Sequence, residues 1–174
     1  MRRSFASTFS KLSRLETLPV DEVKKGLVEA TRYRENSLKE DLDREIRVIH
    51  YGIKGLKKLL ERSDIEIPKR VVESVMNVIE VAELRTVRNF IQFFELVCQG
   101  NKTGHDDCFD ILLQLAEVDN KSISSEATVA LSNLVLEQEV SDEKRVKPAL
   151  KRHSNMDDLR IETIQNALEM VEDK

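Results

Sequence analysis

The side chains best suited to chemistry in this chain form one short cluster. His105, Asp106, Asp107 and Cys108 are adjacent in sequence, and all four side-chain types can bind a metal ion. Four consecutive residues rarely point at a single ion, and Asp106 or Asp107 is also a natural N-cap for a following helix. We therefore predict no metal site in this segment.

The remaining reactive residues do not form a recognisable active site. The loop from Gly100 to Gly104 lacks a preceding strand and the Gly-Lys-Ser/Thr signature of a phosphate-binding loop, so Gly100 is better explained as a helix C-cap. His50 and His153 have no nucleophile or carboxylate beside them in a catalytic arrangement. The sequence therefore predicts no enzyme, no catalytic residue and no cofactor.

Composition predicts that any functional residues are carried by helices. The 174 residues are 34% charged and 5% aromatic, with five glycines, three prolines and no run that reads as a strand. No apolar run approaches the roughly 20 residues that a membrane-spanning helix needs. Cys98 and Cys108 form no disulfide framework and fit a reducing compartment. We predict an all-α chain.

One stretch, residues 124–137, organises the rest of the sequence. It reads SSEATVALSNLVLE, and its apolar residues recur at spacings of three and four, which places them on one side of a helix. These residues are Ala127, Ala130, Leu131, Leu134 and Val135. Because two of them are alanines, neighbouring helices can approach closely. The pattern predicts a helix in the inner layer of a stack.

The same apolar pattern recurs 37 residues before and 37 residues after this helix. The aligned sets are Phe90, Ala127 and Ile164; Phe93, Ala130 and Ala167; Phe94, Leu131 and Leu168; Val97, Leu134 and Val171; Val75, Leu112 and Ala149; and Met76, Leu113 and Leu150. A fixed period of this length indicates a solenoid, in which each unit covers apolar surface of the one before it. A fourth, weaker copy includes Leu38, Ile53, Leu56 and Leu60.

Residues 107–137 resemble an armadillo repeat, whose last helix often carries an Ala-Leu-Ser-Asn-Leu run like residues 130–134. Residues 68–104 and 142–174 match more loosely and are equally HEAT-like. The resemblance implies a right-handed α-solenoid of about three to four ARM/HEAT-like repeats. It also implies a non-catalytic scaffold or adaptor that binds a protein or peptide on its concave face, with no small-molecule substrate. An irregular helical bundle is the alternative fold.

The resemblance points to four candidate partner-binding residues: Asn133, Val129, Gln165 and Met170. In armadillo proteins an Asn at the position of Asn133 holds the backbone of an extended peptide. Nuclear-import receptors carry a Trp one turn earlier, where this chain has Val129, and a repeated Asn ladder is missing, so we do not predict a receptor for nuclear-localisation signals. The alternative role for Asn133 is a hydrogen bond to a neighbouring helix or loop.

Residues 1–19 are predicted to form a basic segment ahead of a single helical domain at 20–174. The first fifteen residues contain Arg2, Arg3, Lys11 and Arg14 and no acid, together with several hydroxyl residues. This pattern fits a cytosolic tail or first helix, a helix that touches an acidic surface, or a mitochondrial presequence. We predict a cytoplasmic protein, with a mitochondrial matrix protein and a cleaved presequence as the alternative.

The longest apolar pattern lies in residues 38–60, and its spacing is close to that of a coiled-coil seam. This helix is predicted to cap the first solenoid unit, with self-association through the same stripe as the alternative. A regulatory or oligomerisation module of a larger assembly is therefore a further candidate function. The net charge of -4, and a basic cluster at 144–152 without interleaved aromatics, argue against nucleic-acid binding.

Overall fold

The computed structural model describes residues 7, 11, 19–32, 39–63, 65–99, 105–137, 140, 143–154 and 160–172. These residues form eight α-helices and a short 3-10 helix at Glu143–Arg145, and they contain no strand. The α-helices are α1 Val20–Ala30, α2 Lys39–Leu60, α3 Lys69–Ile79, α4 Leu84–Cys98, α5 His105–Glu117, α6 Lys121–Leu136, α7 Lys147–His153 and α8 Ile161–Glu172. The predicted all-α class is confirmed for this part of the chain.

The even-numbered helices pack side by side. Helix α4 contacts both α2 and α6, and α6 contacts both α4 and α8. Each odd-numbered helix from α3 to α7 contacts the even-numbered helices that precede and follow it in the chain. The odd-numbered helices therefore cover the joints between neighbouring even-numbered ones.

Residues 37 apart have similar burial in most of the aligned sets. Four sets are buried at all three positions: Phe90, Ala127 and Ile164; Phe93, Ala130 and Ala167; Val97, Leu134 and Val171; and Val75, Leu112 and Ala149. In the set that tests the repeat most directly, Phe94 and Leu131 are fully buried but Leu168 is only partly buried. A regular repeat requires burial at all three positions, and this requirement fails at Leu168, so a 37-residue repeat is not confirmed through the last described helix.

The apolar stripe of α2 is covered within the chain. Ile49, Ile53 and Leu56 are fully buried, and α2 packs against α1 and α4. The stripe thus has an intramolecular neighbour on each side, as the capping interpretation requires. Self-association through this stripe is not supported, because its side chains are already occupied.

Helix α1 packs closely against α2 at a glycine. A Cβ atom added at Gly52 would lie 2.6 Å from Thr31 Cγ2 and 3.3 Å from the carbonyl oxygen of Leu27. Thr31 is fully buried, and its hydroxyl donates a hydrogen bond to the carbonyl of Val28 at 2.8 Å, which fixes the methyl group in place. The close approach of the two helices therefore depends on the missing side chain at Gly52.

Two helix starts differ from the sequence prediction. Helix α6 begins three residues earlier than residue 124, because Asn120 is its N-cap and accepts from the backbone N–H groups of Ser122 at 3.1 Å and Ile123 at 3.4 Å. Helix α5 begins at His105, so Asp106 and Asp107 lie in its first turn. There their carboxylates interact with the helix dipole instead of capping the helix.

Helix α6 buries hydroxyl groups as well as apolar ones. Thr128 and Ser132 are fully buried. The Thr128 hydroxyl donates to the carbonyl of Ser124 at 2.8 Å, and the Ser132 hydroxyl donates to the carbonyl of Thr128 at 2.8 Å. Because these groups bond within their own helix, burying them leaves no hydroxyl unsatisfied.

Candidate interaction surface

Helix α6 is buried on all sides except one narrow row. The row consists of Glu126, Val129 and Asn133, which are partly exposed, and the exposed Glu137 that follows the helix. Their spacing of three, four and four residues places them on one helical face. A parallel row on α4 consists of Arg88, Gln92, Glu95 and Gln99, none of which is fully buried. We call the two rows together the α4–α6 stripe.

Three side-chain hydrogen bonds join the two rows, each between residues 38 apart. Arg88 Nε donates to Glu126 Oε1 at 2.6 Å, and Asn133 Nδ2 donates to Glu95 Oε1 at 2.8 Å. The third joins Gln99 Nε2 to Glu137 Oε2 at 2.7 Å. Since the separation is constant, α4 and α6 lie in one register along the whole stripe.

The stripe is extended on the α2 side by a lysine. Lys57 Nζ donates to Gln92 Oε1 at 2.6 Å and approaches Asn89 Oδ1 at 3.4 Å. Burial lowers the pKa of Lys57, although the carboxylates of Glu61 and Glu95 favour its charged form. The ammonium is therefore partly withdrawn from water, with its hydrogen bonds directed to side-chain amides.

On the α8 side, the stripe ends at a carboxylate shared by two arginines. Glu126 accepts from Arg88 through one oxygen, and from Arg160 Nη1 at 2.9 Å through the other. The Glu126 side chain is only 11% exposed. Charge-assisted pairs in such a place are stronger than exposed ones. Glu126 thus links α4 and α6 to the residue that precedes α8.

The middle of the stripe holds a partly desolvated carboxylate. Burial raises the pKa of Glu95 above its ordinary value, the hydrogen bond from Asn133 opposes that rise, and the nearby charge of Glu137 adds to it. Lys57 also favours the ionised form of Glu95. The Glu95 carboxylate is therefore less stable in its charged form than it would be in water.

The structure brings together only some of the predicted site residues. Asn133 and Val129 share the exposed row of α6, and the amide of Asn133 bonds to α4, which corresponds to the alternative role considered for it. Met170 is partly buried against the core. Gln165 is exposed on α8 but donates to the carbonyl of Ser154 at 3.3 Å, so it bonds to the residue that follows α7.

Sequence reasoning missed the polar partners in the stripe, above all Glu95 and Glu126. A signal for them exists in the sequence: residues of complementary polarity recur at a separation one residue longer than the apolar period. Arg88 with Glu126 and Gln99 with Glu137 follow this rule. The apolar alignment alone does not reveal it, because the extra residue reflects an axial shift between the two helices.

Burial perturbs the pKa values of both described thiols and of the imidazoles of His50 and His153. Cys98 and Cys108 are fully buried, and burial raises the pKa of both thiols, that of Cys108 to about 12. Thiols with such pKa values are poor nucleophiles at neutral pH. Burial lowers the pKa of His50 and of His153. Among the described residues, no group of three or more His, Cys, Asp or Glu side chains could hold a metal ion.

None of the described helices combines the length and the apolar composition needed to cross a membrane. No family of known proteins, no curated protein and no solved structure matches this chain. The choice between candidate functions therefore depends on the geometry of its surfaces.

Proposed function

We propose that this protein is a non-catalytic binding module, an ARM/HEAT-like α-solenoid that holds an extended segment of a protein partner along the α4–α6 stripe. The main observation in support of this proposal is the set of three hydrogen bonds between residues 38 apart. They align two polar rows on the one face of α6 that is left uncovered. Such rows are typical of the surfaces with which helical repeats bind peptides.

The solenoid part of this proposal is supported by the packing of the even-numbered helices and by the similar burial of residues 37 apart. The partial exposure of Leu168 fits a terminal unit, whose outer side has no following unit to cover it. The resemblance of residues 107–137 to an armadillo repeat favours the same architecture.

The chemistry of the stripe favours recognition of a peptide backbone over recognition of charge. Three acids, Glu95, Glu126 and Glu137, are balanced by three bases, Lys57, Arg88 and Arg160. The side-chain amides of Gln92, Gln99 and Asn133 each contain both donors and an acceptor, so they can pair with any peptide group.

The dimensions of the stripe also fit an extended peptide. Two helical turns, the spacing from Arg88 to Glu95, rise about 10.5 Å, which is about three residues of extended chain. Neighbouring packed helices are about 8–10 Å apart, again about three residues of extended chain. Amides seven residues apart on one helix, such as Gln92 and Gln99, can therefore meet peptide groups about three residues apart in a bound segment.

The proposal is tested by selecting peptides from a random display library on the full chain and measuring their affinities by calorimetry. For the enriched peptides, we expect the double variant Gln92→Ala/Asn133→Ala to bind about tenfold more weakly than wild type. Asn166→Ala is the matched control, because Asn166 is an exposed amide on α8 outside the stripe. Failure to enrich any peptide, or equal affinity for the double variant and wild type, contradicts the proposal.

We propose the cytoplasm as its location, since two buried thiols fit a reducing compartment. The presequence alternative concerns residues 1–18, which lie outside the described residues apart from Ser7 and Lys11. N-terminal sequencing of the endogenous protein distinguishes the two locations, because import into the matrix removes a presequence.

A further inference from the structure

A groove of about 360 Å³ lies between α3 and α5, and it shares no residue with the α4–α6 stripe. Its apolar lining includes Val72 and Met76 on α3 and Ile111 on α5. The volume falls within the usual range for sites that take a side chain or a small ligand. A ligand in this groove would therefore contact apolar side chains of the protein.

Three acids and one base, Lys69 on α3, line the groove. Glu73 lies on the α3 side, and Asp107 and Asp110 lie on the α5 side. Lys69 is the one cation among the residues that line this groove. Acids that face each other across a groove repel, and a cation between them lowers that repulsion.

The next joint along the chain, between α5 and α7, shows how the protein itself fills such a site. There Arg145 Nη2 pairs with Asp110 Oδ1 at 2.5 Å. The guanidinium carbon of Arg145 also lies 5.4 Å from the centroid of the Phe109 ring. One arginine therefore satisfies an acid and covers an apolar side chain at the same time.

At the equivalent repeat positions, the α3–α5 groove has an acid and a neighbouring apolar residue but no arginine. Shifted by 37 residues, Asp110 corresponds to Glu73 and Phe109 to Val72, and each pair has the same burial class. Arg145 corresponds to Cys108, which is fully buried. The groove thus has the acid and the apolar surface of an arginine site but has a buried thiol at the position of the arginine.

The charge on the C-terminal helix of each pair, α5 in the first joint and α7 in the second, also differs in this comparison. Shifted by 37 residues, Asp107 and Asp110 of the groove correspond to Lys144 and Lys147 beside α7. At the α5–α7 joint, Asp110 on α5 therefore faces basic residues, whereas at the α3–α5 joint the acids of α5 face a wall with one acid, Glu73, and one base, Lys69. Asp110 also pairs with Arg145, so the three acids of the groove are accompanied by two bases and retain one net negative charge.

We propose that the α3–α5 groove binds an arginine side chain from a protein partner, with the guanidinium between Glu73 and Asp107 and the aliphatic stem on Val72 and Met76. Arginine fits better than a metal ion, because the acids are spread along the groove and no cluster in the described residues could hold a metal ion. It fits better than lysine, because a planar guanidinium reaches two carboxylates while its stem covers apolar surface. This site is independent of the stripe.

The test uses a fluorescein-labelled peptide of about twelve residues, the length of the flanking helices, with arginines among leucines. A second peptide carries citrulline, which has the shape of arginine without its charge. Anisotropy titrations use the full chain as wild type and as Glu73→Gln. We expect the citrulline change and Glu73→Gln each to weaken binding by about fivefold, with little further loss when they are combined.

The matched control is Glu80→Gln, which removes one negative charge from an exposed residue just after α3 and outside the groove. It is expected to bind the arginine peptide like wild type, and thermal melts followed by circular dichroism verify that both variants fold. Equal affinity of Glu73→Gln and Glu80→Gln for the arginine peptide overturns the proposal.

The chain also contains a basic segment of its own, and one further variant tests whether that segment is the occupant. In this variant Arg2, Arg3, Lys11 and Arg14 are all replaced by Gln. The affinity for the arginine peptide is expected to match that of wild type. If this variant binds the peptide and wild type does not, the groove is filled by the chain's own segment and docking of a partner is overturned.

Discussion

Asn133 Nδ2 lies 2.8 Å from Glu95 Oε1, which joins the last turn of α6 to the last turn of α4 across 38 residues of sequence. The donor belongs to the residue that the armadillo resemblance nominates for peptide binding. The acceptor is a carboxylate that burial makes costly to ionise. A partner peptide that bonds to Asn133 therefore competes with a contact that already stabilises the fold.

The first prediction concerns this hydrogen bond. Asn133→Ala is expected to lower the free energy of unfolding by about 1 kcal/mol, because Glu95 loses a charge-assisted donor. Urea unfolding of wild type, Asn133→Ala, Glu95→Ala and the double variant gives the coupling between the two residues. Asn166→Ala, on an exposed position of α8, serves as the control. Additive effects of the two substitutions would show that the bond contributes nothing in solution.

The second prediction concerns pH. Burial raises the pKa of Glu95, so the folded chain holds this proton more tightly than the unfolded chain does. The contribution of Glu95 to stability is therefore highest at acid pH and falls as the pH rises through the folded pKa. Glu95→Gln keeps an acceptor for Asn133 and removes the titration. We expect its stability relative to wild type to increase between about pH 4 and pH 7.

Urea unfolding at a series of pH values measures this difference, with Glu80→Gln as a control at an exposed position. A stability difference between Glu95→Gln and wild type that is constant over this range, or that decreases as the pH rises, would mean that the Glu95 carboxylate is well hydrated in the folded chain.

The third prediction concerns the contact between α1 and α2. Gly52→Ala is expected to destabilise the protein by about 1–2 kcal/mol, because the overpacking penalty exceeds the gain of about 1 kcal/mol in helix propensity. Thr31→Ser removes the methyl group that lies 2.6 Å from the new Cβ and keeps the hydroxyl. The double variant should therefore recover part of the lost stability in thermal melts. Gly52→Ala proteins that melt at or above the wild-type temperature would contradict this packing.

The fourth prediction ranks three aligned core positions by the stability lost when each side chain is replaced by alanine. Phe94→Ala is expected to cost about 3–5 kcal/mol and Leu131→Ala about 2–5 kcal/mol, because both side chains are fully buried. Leu168→Ala should cost about 1 kcal/mol, since Leu168 is only partly buried. Urea unfolding of the three variants checks the order. A loss at Leu168 as large as that at Leu131 would mean that further structure covers α8 in solution.

The sequence was sufficient for the helices and for most of the aligned core positions. The spacing of Ala127, Ala130 and Leu131 records directly which face of α6 is buried, since burial selects for apolar side chains at helical spacing. The apolar pattern did not predict the pairing of Glu95 with Asn133. This pairing depends on how far α6 is shifted along its axis relative to α4, which is a property of packing that the pattern within either helix does not contain.

The α3–α5 groove was equally hidden in the sequence. Its acids, such as Glu73 and Asp107, read as ordinary polar positions on two separate amphipathic helices. Only the packing of α3 and α5 brings them to one groove. Only the comparison with Arg145 at the α5–α7 joint suggests that they bind a guanidinium group. Repeats are informative in this way because each unit supplies a reference for its neighbours.

The buried hydroxyls of Thr128 and Ser132 have a mechanical consequence. Both bond to carbonyls of their own helix, so α6 presents the surrounding helices with methyl and methylene surfaces and requires no hydrogen bond across its buried sides from these two residues. At these two positions the packing of α6 against its neighbours is therefore determined by shape alone. The polar contacts that hold α6 in register with α4 lie along the stripe.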